Sequence, residues 1–389
     1  MRDYIPEQIR NVALVGHGSC GKTSLTAAFL FVAGVTPRLT KVDKGNTITD
    51  FEPEEIDRKI SISAACCFLE WKGCRLNLID TPGYHNFLWD TKASLRAVDA
   101  AAIVVCGVAG VEVGTEKTWD MIEELDYPRL FIINKLDREN SNFYRTLEEI
   151  HQFFGRKAVP IQIPIGEEKD FIGVIDLIKQ RAFIFEKDES GQFREEDIPA
   201  NFKEEAKKKR EQLIEMIAEN DETLMEKYFE KGDLTEEEIK AGLKKAVLEK
   251  QIFPVMGCSA LFNLACQPIL DYFVELLPSP LERPPLKVFR QGNEQVWQPS
   301  LDSPFAALVF KTLSDPYTGR ISIMRVFSGR VNPDVTVINT TRDCEEKLGG
   351  LFYLQGKEQV PAGQAKLGDI VATSKLKMTT TGAVSYTHL

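Results

Sequence analysis

This 389-residue sequence predicts an α/β phosphate-loop domain, its mostly parallel sheet covered by helices on both faces, followed by a small antiparallel β-barrel. Three observations point there. The run Gly16-His17-Gly18-Ser19-Cys20-Gly21-Lys22-Thr23 fits G-x-x-x-x-G-K-[ST] and lies between the apolar Val12-Ala13-Leu14-Val15 and a helix-like stretch from Ser24 to Ala33, the strand-to-helix context that such a loop requires. Apolar runs alternate with amphipathic stretches, such as Phe87 to Val98 and Lys117 to Leu125, through the first 155 residues, as in a parallel sheet sandwiched by helices. From Leu286 onward, short alternating stretches (Phe305 to Thr312, Ile321 to Ser328, Val335 to Asn339) are broken by turns at Asp315-Pro316, Gly329 and Asn332-Pro333, the pattern of a small barrel.

Each motif implies a chemistry. In the first loop the glycines let the backbone aim its N–H groups inward, and the helix N-terminus adds positive potential. Lys22 brings a cation to the outer phosphates, and the Thr23 hydroxyl can ligate Mg²⁺. Asp80-Thr81-Pro82-Gly83 follows the strand-like Arg75 to Ile79 and fits the D-x-x-G of a nucleotide switch. Its Asp80 carboxylate is expected to hold magnesium through water, and the Gly83 N–H to contact the γ-phosphate. Asn134-Lys135-Leu136-Asp137 ends the apolar run Leu130 to Ile133, which places it at the ligand edge of a parallel sheet. Asp137 there can accept from the guanine N1–H and exocyclic amine, a donor pair that adenine lacks, while Asn134 and Lys135 brace loop and base. Gly257-Cys258-Ser259-Ala260, after the apolar Ile252 to Met256, can close over the guanine edge. Together these motifs imply a guanine nucleotide, GTP or GDP, with Mg²⁺.

Between Lys157 and Lys250 the character changes. Ile161 to Ile165, Gly173 to Ile178 and Ala182 to Glu186 read as short strands. Asn201 to Lys250 is dense in Glu and Lys, with Leu213, Ile214, Ile217, Leu224, Met225 and Tyr228 at helical spacing. The expected organisation is a nucleotide-binding domain over residues 1–285 carrying an insert at 157–251, a barrel at 286–376, and a final segment at 377–389.

In order and context these motifs resemble the translational GTPases, most closely elongation factor G and its paralogues. The likeness continues through Leu276-Leu277-Pro278-Ser279-Pro280, Ser303 to Lys311, Asp315 to Arg320, Arg325 to Gly329 and Ala365 to Ala372, and covers roughly residues 8 to 382. It implies GTP hydrolysis by attack of water on the γ-phosphate, with ribosomal RNA and protein completing the site. It also implies nucleotide contacts from Gly16, His17, Gly18, Ser19, Cys20, Gly21, Lys22, Thr23, Ser24, Asp80, Thr81, Pro82, Gly83, Tyr84, Asn134, Lys135, Asp137, Ser259 and Ala260. The magnesium set would be Thr23, Ser61 and, through water, Asp80.

Three motifs depart from the family. Where elongation factor G has His after the switch glycine, this chain has Tyr84, with His85 one place later. Tyr84 and Lys22 are therefore the expected catalytic groups, and His85 is either a displaced substitute or an ordinary surface histidine. Ser19 replaces an Asp of the phosphate loop. Arg58-Lys59-Ile60-Ser61 stands for R-G-I-T, with Lys59 in place of glycine and an expected loss of freedom to wrap. These changes resemble the elongation factor G-like paralogues. A GTP-binding switch that captures a partner in one nucleotide state with little hydrolysis is the alternative reading.

Composition narrows the field. A net charge of -10 and a pI of about 5.2 argue against indiscriminate nucleic-acid binding, which needs a basic surface; DNA is not an expected partner, and the ribosome would need local patches. The eight cysteines form no C-x-x-C and suggest free thiols in a reducing cytoplasm rather than a zinc site or disulfide framework. Cys20 is expected to be buried and inert. No signal-peptide pattern is visible and Ala100 to Val111 is too short to span a bilayer, so a cytoplasmic monomer without membrane attachment is expected. Elongation factor G would continue with three further domains; a natural short form and an incomplete sequence compete, and the incomplete one is the expectation.

Overall fold

Apolar strands, all but β2 buried from end to end, make the central sheet, in a computed structural model that describes residues 2–290, 293–315 and 319–386. In chain order the strands are β1 (Ile9–Val15), β2 (Ala65–Trp71), β3 (Cys74–Asp80), β4 (Ala100–Cys106), β5 (Arg129–Asn134) and β6 (Ala158–Pro160). Four insert strands follow, β7 (Gln162–Ile165), β8 (Gly173–Asp176), β9 (Arg181–Phe185) and β10 (Phe193–Glu196), and then β11 (Phe253–Gly257). The sheet order is β2-β3-β1-β4-β5-β11-β6, parallel throughout except where β2 meets β3. Every residue of β1, β3, β4 and β5 is buried, which is the consequence of helices on both faces.

Nine helices are present among the described residues: α1 (Lys22–Val32), α2 (Pro53–Arg58), α3 (Leu88–Leu95), α4 (Val113–Leu125), α5 (Phe143–Phe154), α6 (Lys203–Ala218), α7 (Glu222–Lys231), α8 (Glu236–Leu248) and α9 (Cys266–Leu276). The charge-rich stretch from Asn201 thus divides into three. Asp221 caps α7 by accepting from Thr223 N and Leu224 N, and Thr235 and Glu238 form a reciprocal capping box on α8, so side-chain oxygens satisfy N–H groups that have no partner inside the helix. The insert strands make a separate antiparallel sheet, β10-β9-β8-β7. β6, within the expected insert, instead pairs with β11 at the edge of the main sheet.

The β-region starts with a hairpin of β12 (Leu286–Arg290) and β13 (Asn293–Trp297). Ten strands follow: β14 (Ala306–Asp315), β15 (Gly319–Ser328), β16 (Arg330–Val331), β17 (Thr336–Asn339), β18 (Cys344–Lys347), β19 (Leu351–Gln355), β20 (Glu358–Ala362), β21 (Ala365–Lys366), β22 (Ile370–Ser374) and β23 (Val384–Tyr386). Eight of them form one antiparallel sheet in the order β18-β17-β23-β14-β15-β22-β19-β20, and β16 pairs with β21. Val337 and Tyr353 come from distant strands of this order yet share one core with Met324 and Val371, so the sheet curls around its own interior as the alternating pattern predicts. β23 lies inside the expected final segment and is nevertheless a strand of this sheet, hydrogen-bonded to β14 and β17. Pro316 of the expected Asp315-Pro316 turn, with Tyr317 and Thr318, and Thr387 to Leu389, lie outside the described residues.

The curled sheet docks on the α/β domain through apolar contact and buried charge. Phe310, Ile323 and Phe352 join the core of the α/β domain. Arg325 donates to both oxygens of Asp99 at 3.0 and 2.9 Å, with both side chains buried. Arg75 packs over the Tyr353 ring, 3.6 Å from its centroid, and faces Asp369.

Candidate functional site

The C-terminal ends of β1, β3, β5 and β11 bring four loops to one edge of the sheet, the position where parallel sheets hold ligands. The first runs from Gly16 into α1. Gly16 has φ +137 and a Cβ there would overlap the Val104 carbonyl oxygen; Gly21 has φ +99 and a Cβ there would overlap Asn134 Nδ2. Both positions need glycine, for backbone conformation and for close approach. Lys22 Nζ folds back to donate to Gly16 O at 3.0 Å and His17 O at 2.7 Å. His17 is fixed by the α4 N-terminus, its Nδ1 accepting from Gly114 N at 3.1 Å.

The base end is held by Asn134. Its Nδ2 donates to Cys20 O at 3.0 Å, and its Oδ1 accepts from Ala260 N at 3.0 Å and from Cys258 Sγ at 3.5 Å. One side chain thereby ties the phosphate loop to the loop after β11. Lys135 adds a bond from Nζ to Ser19 O at 2.5 Å. The Asp137 side chain is 7 % exposed; its Oδ2 lies 3.6 Å from Arg138 Nε, and its Oδ1 is buried with no hydrogen-bond partner among the described residues. A buried carboxylate oxygen without a donor is expensive unless a ligand supplies one. Ser259 is fully buried; its Oγ accepts from Phe262 N at 3.4 Å and shapes the loop.

At the phosphate end two carboxylates are buried near each other. Asp80 Oδ2 accepts from Thr49 Oγ1 at 2.7 Å, while Oδ1 has no partner among the described residues. Neither Asp50 oxygen has one, and Asp50 lines the cavity. Burial pushes the Asp80 carboxyl up to about 6, and burial together with the Asp80 charge pushes Asp50 up to about 7. The Thr23 and Ser61 hydroxyls meet at 2.9 Å. Sequence reading missed Asp50. The signal available was a lone Asp in the Thr47 to Phe51 stretch before the Ser61 loop, which has no pattern of its own.

Among the described residues no three or more His, Cys, Asp or Glu side chains cluster as a metal site. The oxygen set Asp50, Asp80, Thr23 and Ser61 is hard and carries two negative charges, which suits a magnesium that keeps part of its water shell. The orphaned oxygens of Asp50 and Asp80 are the acceptors that fit such an ion.

Gly18, Lys22, Thr23, Asp50, Ser61, Tyr84, Lys135 and Ala260 are among the residues lining a cavity of about 240 Å³. His85 is not among them. Tyr84 has extended backbone, φ -83 and ψ 143, so the next side chain turns to the other side, and His85 is exposed on the one-turn helix His85–Phe87. Thr81 and Pro82 support the loop, Thr81 Oγ1 donating to Leu14 O at 2.7 Å and Pro82 O accepting from Thr91 Oγ1 at 2.8 Å. Ser24 also lines the cavity. Cys20 is buried, and burial raises its thiol pKa, which keeps it protonated and inert. Lys59 sits at φ 56, so the lysine adopts the left-handed conformation for which glycine is suited.

Residues 7–279 match the family described as the elongation factor Tu GTP binding domain, and residues 304–386 match elongation factor G domain 2. Among curated proteins, elongation factor G of Thermotoga maritima is 38% identical over 378 residues, covering 97% of this chain and 55% of that protein. The Thermotoga neapolitana protein of the same name is also 38% identical over 378 residues, covering 97% of this chain and 54% of its own length. The chain spans about half the length of the curated relatives it matches. A crystal structure of a Thermus thermophilus protein superimposes with a TM-score of 0.87 at 32% identity, covering 98% of this chain and 55% of the other.

Proposed function

The chain belongs to the translational GTPases, with an elongation factor Tu-type GTP-binding domain and a second domain of elongation factor G type, and from that premise we propose that it binds GTP with Mg²⁺ and hydrolyses it on the ribosome. One observation carries the reading: buried carboxylate oxygens lack partners at both ends of the same site, Asp137 at the base end and Asp50 with Asp80 at the phosphate end. Guanine offers two adjacent N–H donors for the first, and a divalent ion answers the second.

Thr23, Ser61, Asp50 and Asp80 would hold Mg²⁺, which would supply charge neutralisation at the phosphate oxygens. The chain's own groups do the rest. Lys22 exchanges its bonds to Gly16 O and His17 O for phosphate oxygens, and the loop amides stabilise charge that grows in the transition state. Asn134 fixes the distance between the phosphate and base loops. Tyr84, in the position that carries His in elongation factor G, is the side chain next to Gly83 that can donate a hydrogen bond to the attacking water. Asp80, by holding Thr49, ties the stretch before α2 to β3.

Residues 1–285 serve as the nucleotide domain and the curled sheet as its ribosome-facing neighbour. A monomer working in the cytoplasm fits this role, and no helix among the described residues is long and apolar enough to cross a membrane. Phosphate release from GTP, measured with and without ribosomes for the unaltered chain and for Lys22→Ala, tests the proposal. Ribosome-stimulated release that is lost in Lys22→Ala supports it; nucleotide binding with no stimulated release contradicts the hydrolytic part.

A further inference from the structure

Tyr84 lies across the phosphate loop. A Cβ built on Gly18 would fall 2.9 Å from its ring, and its hydroxyl meets Ser19 Oγ at 2.8 Å. One residue earlier, Gly83 presses on the same loop: a Cβ there would come within 2.6 Å of the Gly18 nitrogen and of the His17 carbonyl carbon, and would overlap Lys22 Nζ. The Gly18 amide and the Lys22 ammonium are groups that a terminal phosphate needs. Here the ammonium is turned to Gly16 O and His17 O, with Gly83 beside it. Lys135 and Ala260 line the same cavity at its base end.

Ser19 itself has φ +61, a backbone region that few side chains other than Asn, Asp and Gly enter readily. In that conformation its hydroxyl reaches the switch loop. A carboxylate at position 19 would offer the phenol an acceptor but would also add negative charge beside the phosphate loop; the serine offers the hydrogen bond without the charge.

We propose that Ser19 and Tyr84 form a latch that makes the site discriminate against the triphosphate. Seating a third phosphate requires the Ser19–Tyr84 bond to break and Gly83 to leave Lys22. A diphosphate requires neither change. Ser19 acts through Tyr84, so the pair sets the GTP-to-GDP preference as one unit, and a partner that favours the triphosphate state must supply the difference. The inference rests on the guanine-nucleotide reading and deepens it.

The test is calorimetric affinity for GDP and for a non-hydrolysable GTP analogue, both with Mg²⁺, on the unaltered chain, Ser19→Ala, Tyr84→Phe and the double variant. Losing one ordinary hydrogen bond corresponds to about a three- to tenfold change. Each single variant is expected to raise analogue affinity relative to GDP by that factor. The double variant is expected to change no further, because either substitution alone removes the whole bond. Tyr84→Phe keeps the ring on Gly18, so it separates the hydroxyl from the packing. An unchanged ratio, equal shifts for both nucleotides, or additive effects in the double variant overturn the latch. If the unaltered chain binds neither nucleotide, the guanine-nucleotide reading falls with it, an outcome distinct from binding with an unchanged ratio.

Discussion

Lys311 of the curled sheet and Asp90 of α3 form an ion pair at 2.6 Å with both side chains at least 94 % buried. Asp90 Oδ2 also accepts from Ala64 N at 2.6 Å, and Lys311 also donates to Ser63 Oγ. One buried pair therefore joins three parts: the stretch after Ser61, the helix after the Gly83-Tyr84 loop, and the second domain. Any movement of the loops that face the phosphates must either carry this junction along or strain it.

Removing one partner leaves the other charged and buried. Lys311→Met is expected to destabilise the chain by about 3–5 kcal/mol, and Asp90→Asn combined with it to recover part of that loss. Denaturant midpoints for the two variants check this. A loss under about 1 kcal/mol for Lys311→Met would place the pair in the weak class of solvated bridges.

The two carboxylates of the phosphate end predict a pH dependence. Asp80 is raised to about 6 and Asp50 to about 7 from the ordinary 3.8, so between about pH 4 and 7 the folded chain keeps protons that the unfolded chain has released. In the absence of metal these groups therefore lower stability as pH rises through that window. Asp50→Asn should stabilise the metal-free chain at pH 7.5 by on the order of 2 kcal/mol, read as a higher melting temperature. A divalent ion must displace the same protons. Mn²⁺ affinity in the presence of GDP should be at least about tenfold higher at pH 7.5 than at pH 5.5, with a smaller ratio in Asp50→Asn. A pH-independent affinity would show that these carboxyls do not meet the ion.

Much of this was legible in the sequence, for reasons that differ by element. The Gly16 to Thr23 loop was readable because its glycines answer two separate demands, left-handed φ and the closeness of Val104 and Asn134. Asp137 and Asp80 were readable because their motifs end strands whose apolar runs are unmistakable. Asp50 was not, since its role arises only when the loop after Thr47 folds beside β3. The Ser19–Tyr84 bond and the Lys311–Asp90 pair span 65 and 221 residues, and no local pattern records a contact of that kind. Lys59, expected to leave the loop less free to wrap, fits the left-handed conformation that suits glycine, at φ 56.

That fit is not free of strain. A left-handed non-glycine residue costs roughly 1 kcal/mol relative to glycine, so Lys59→Gly should stabilise the Arg58 to Ser61 turn by up to about that amount. Slower amide exchange at Ile60 to Ser63 would register it. Faster exchange would mean that the lysine side chain, not the backbone, holds the turn.

The unpaired Asp137 oxygen is the point on which the account depends most. Calorimetric titration of GDP and of IDP, which lacks the 2-amino group, into the unaltered chain and into Asp137→Asn with Mg²⁺ present tests it directly. The prediction is tighter binding of GDP than of IDP by about tenfold or more, as for an unpaired charged acceptor, with that preference abolished in Asp137→Asn. Equal binding of GDP and IDP by the unaltered chain would contradict it, because the buried carboxylate would then not be reading guanine.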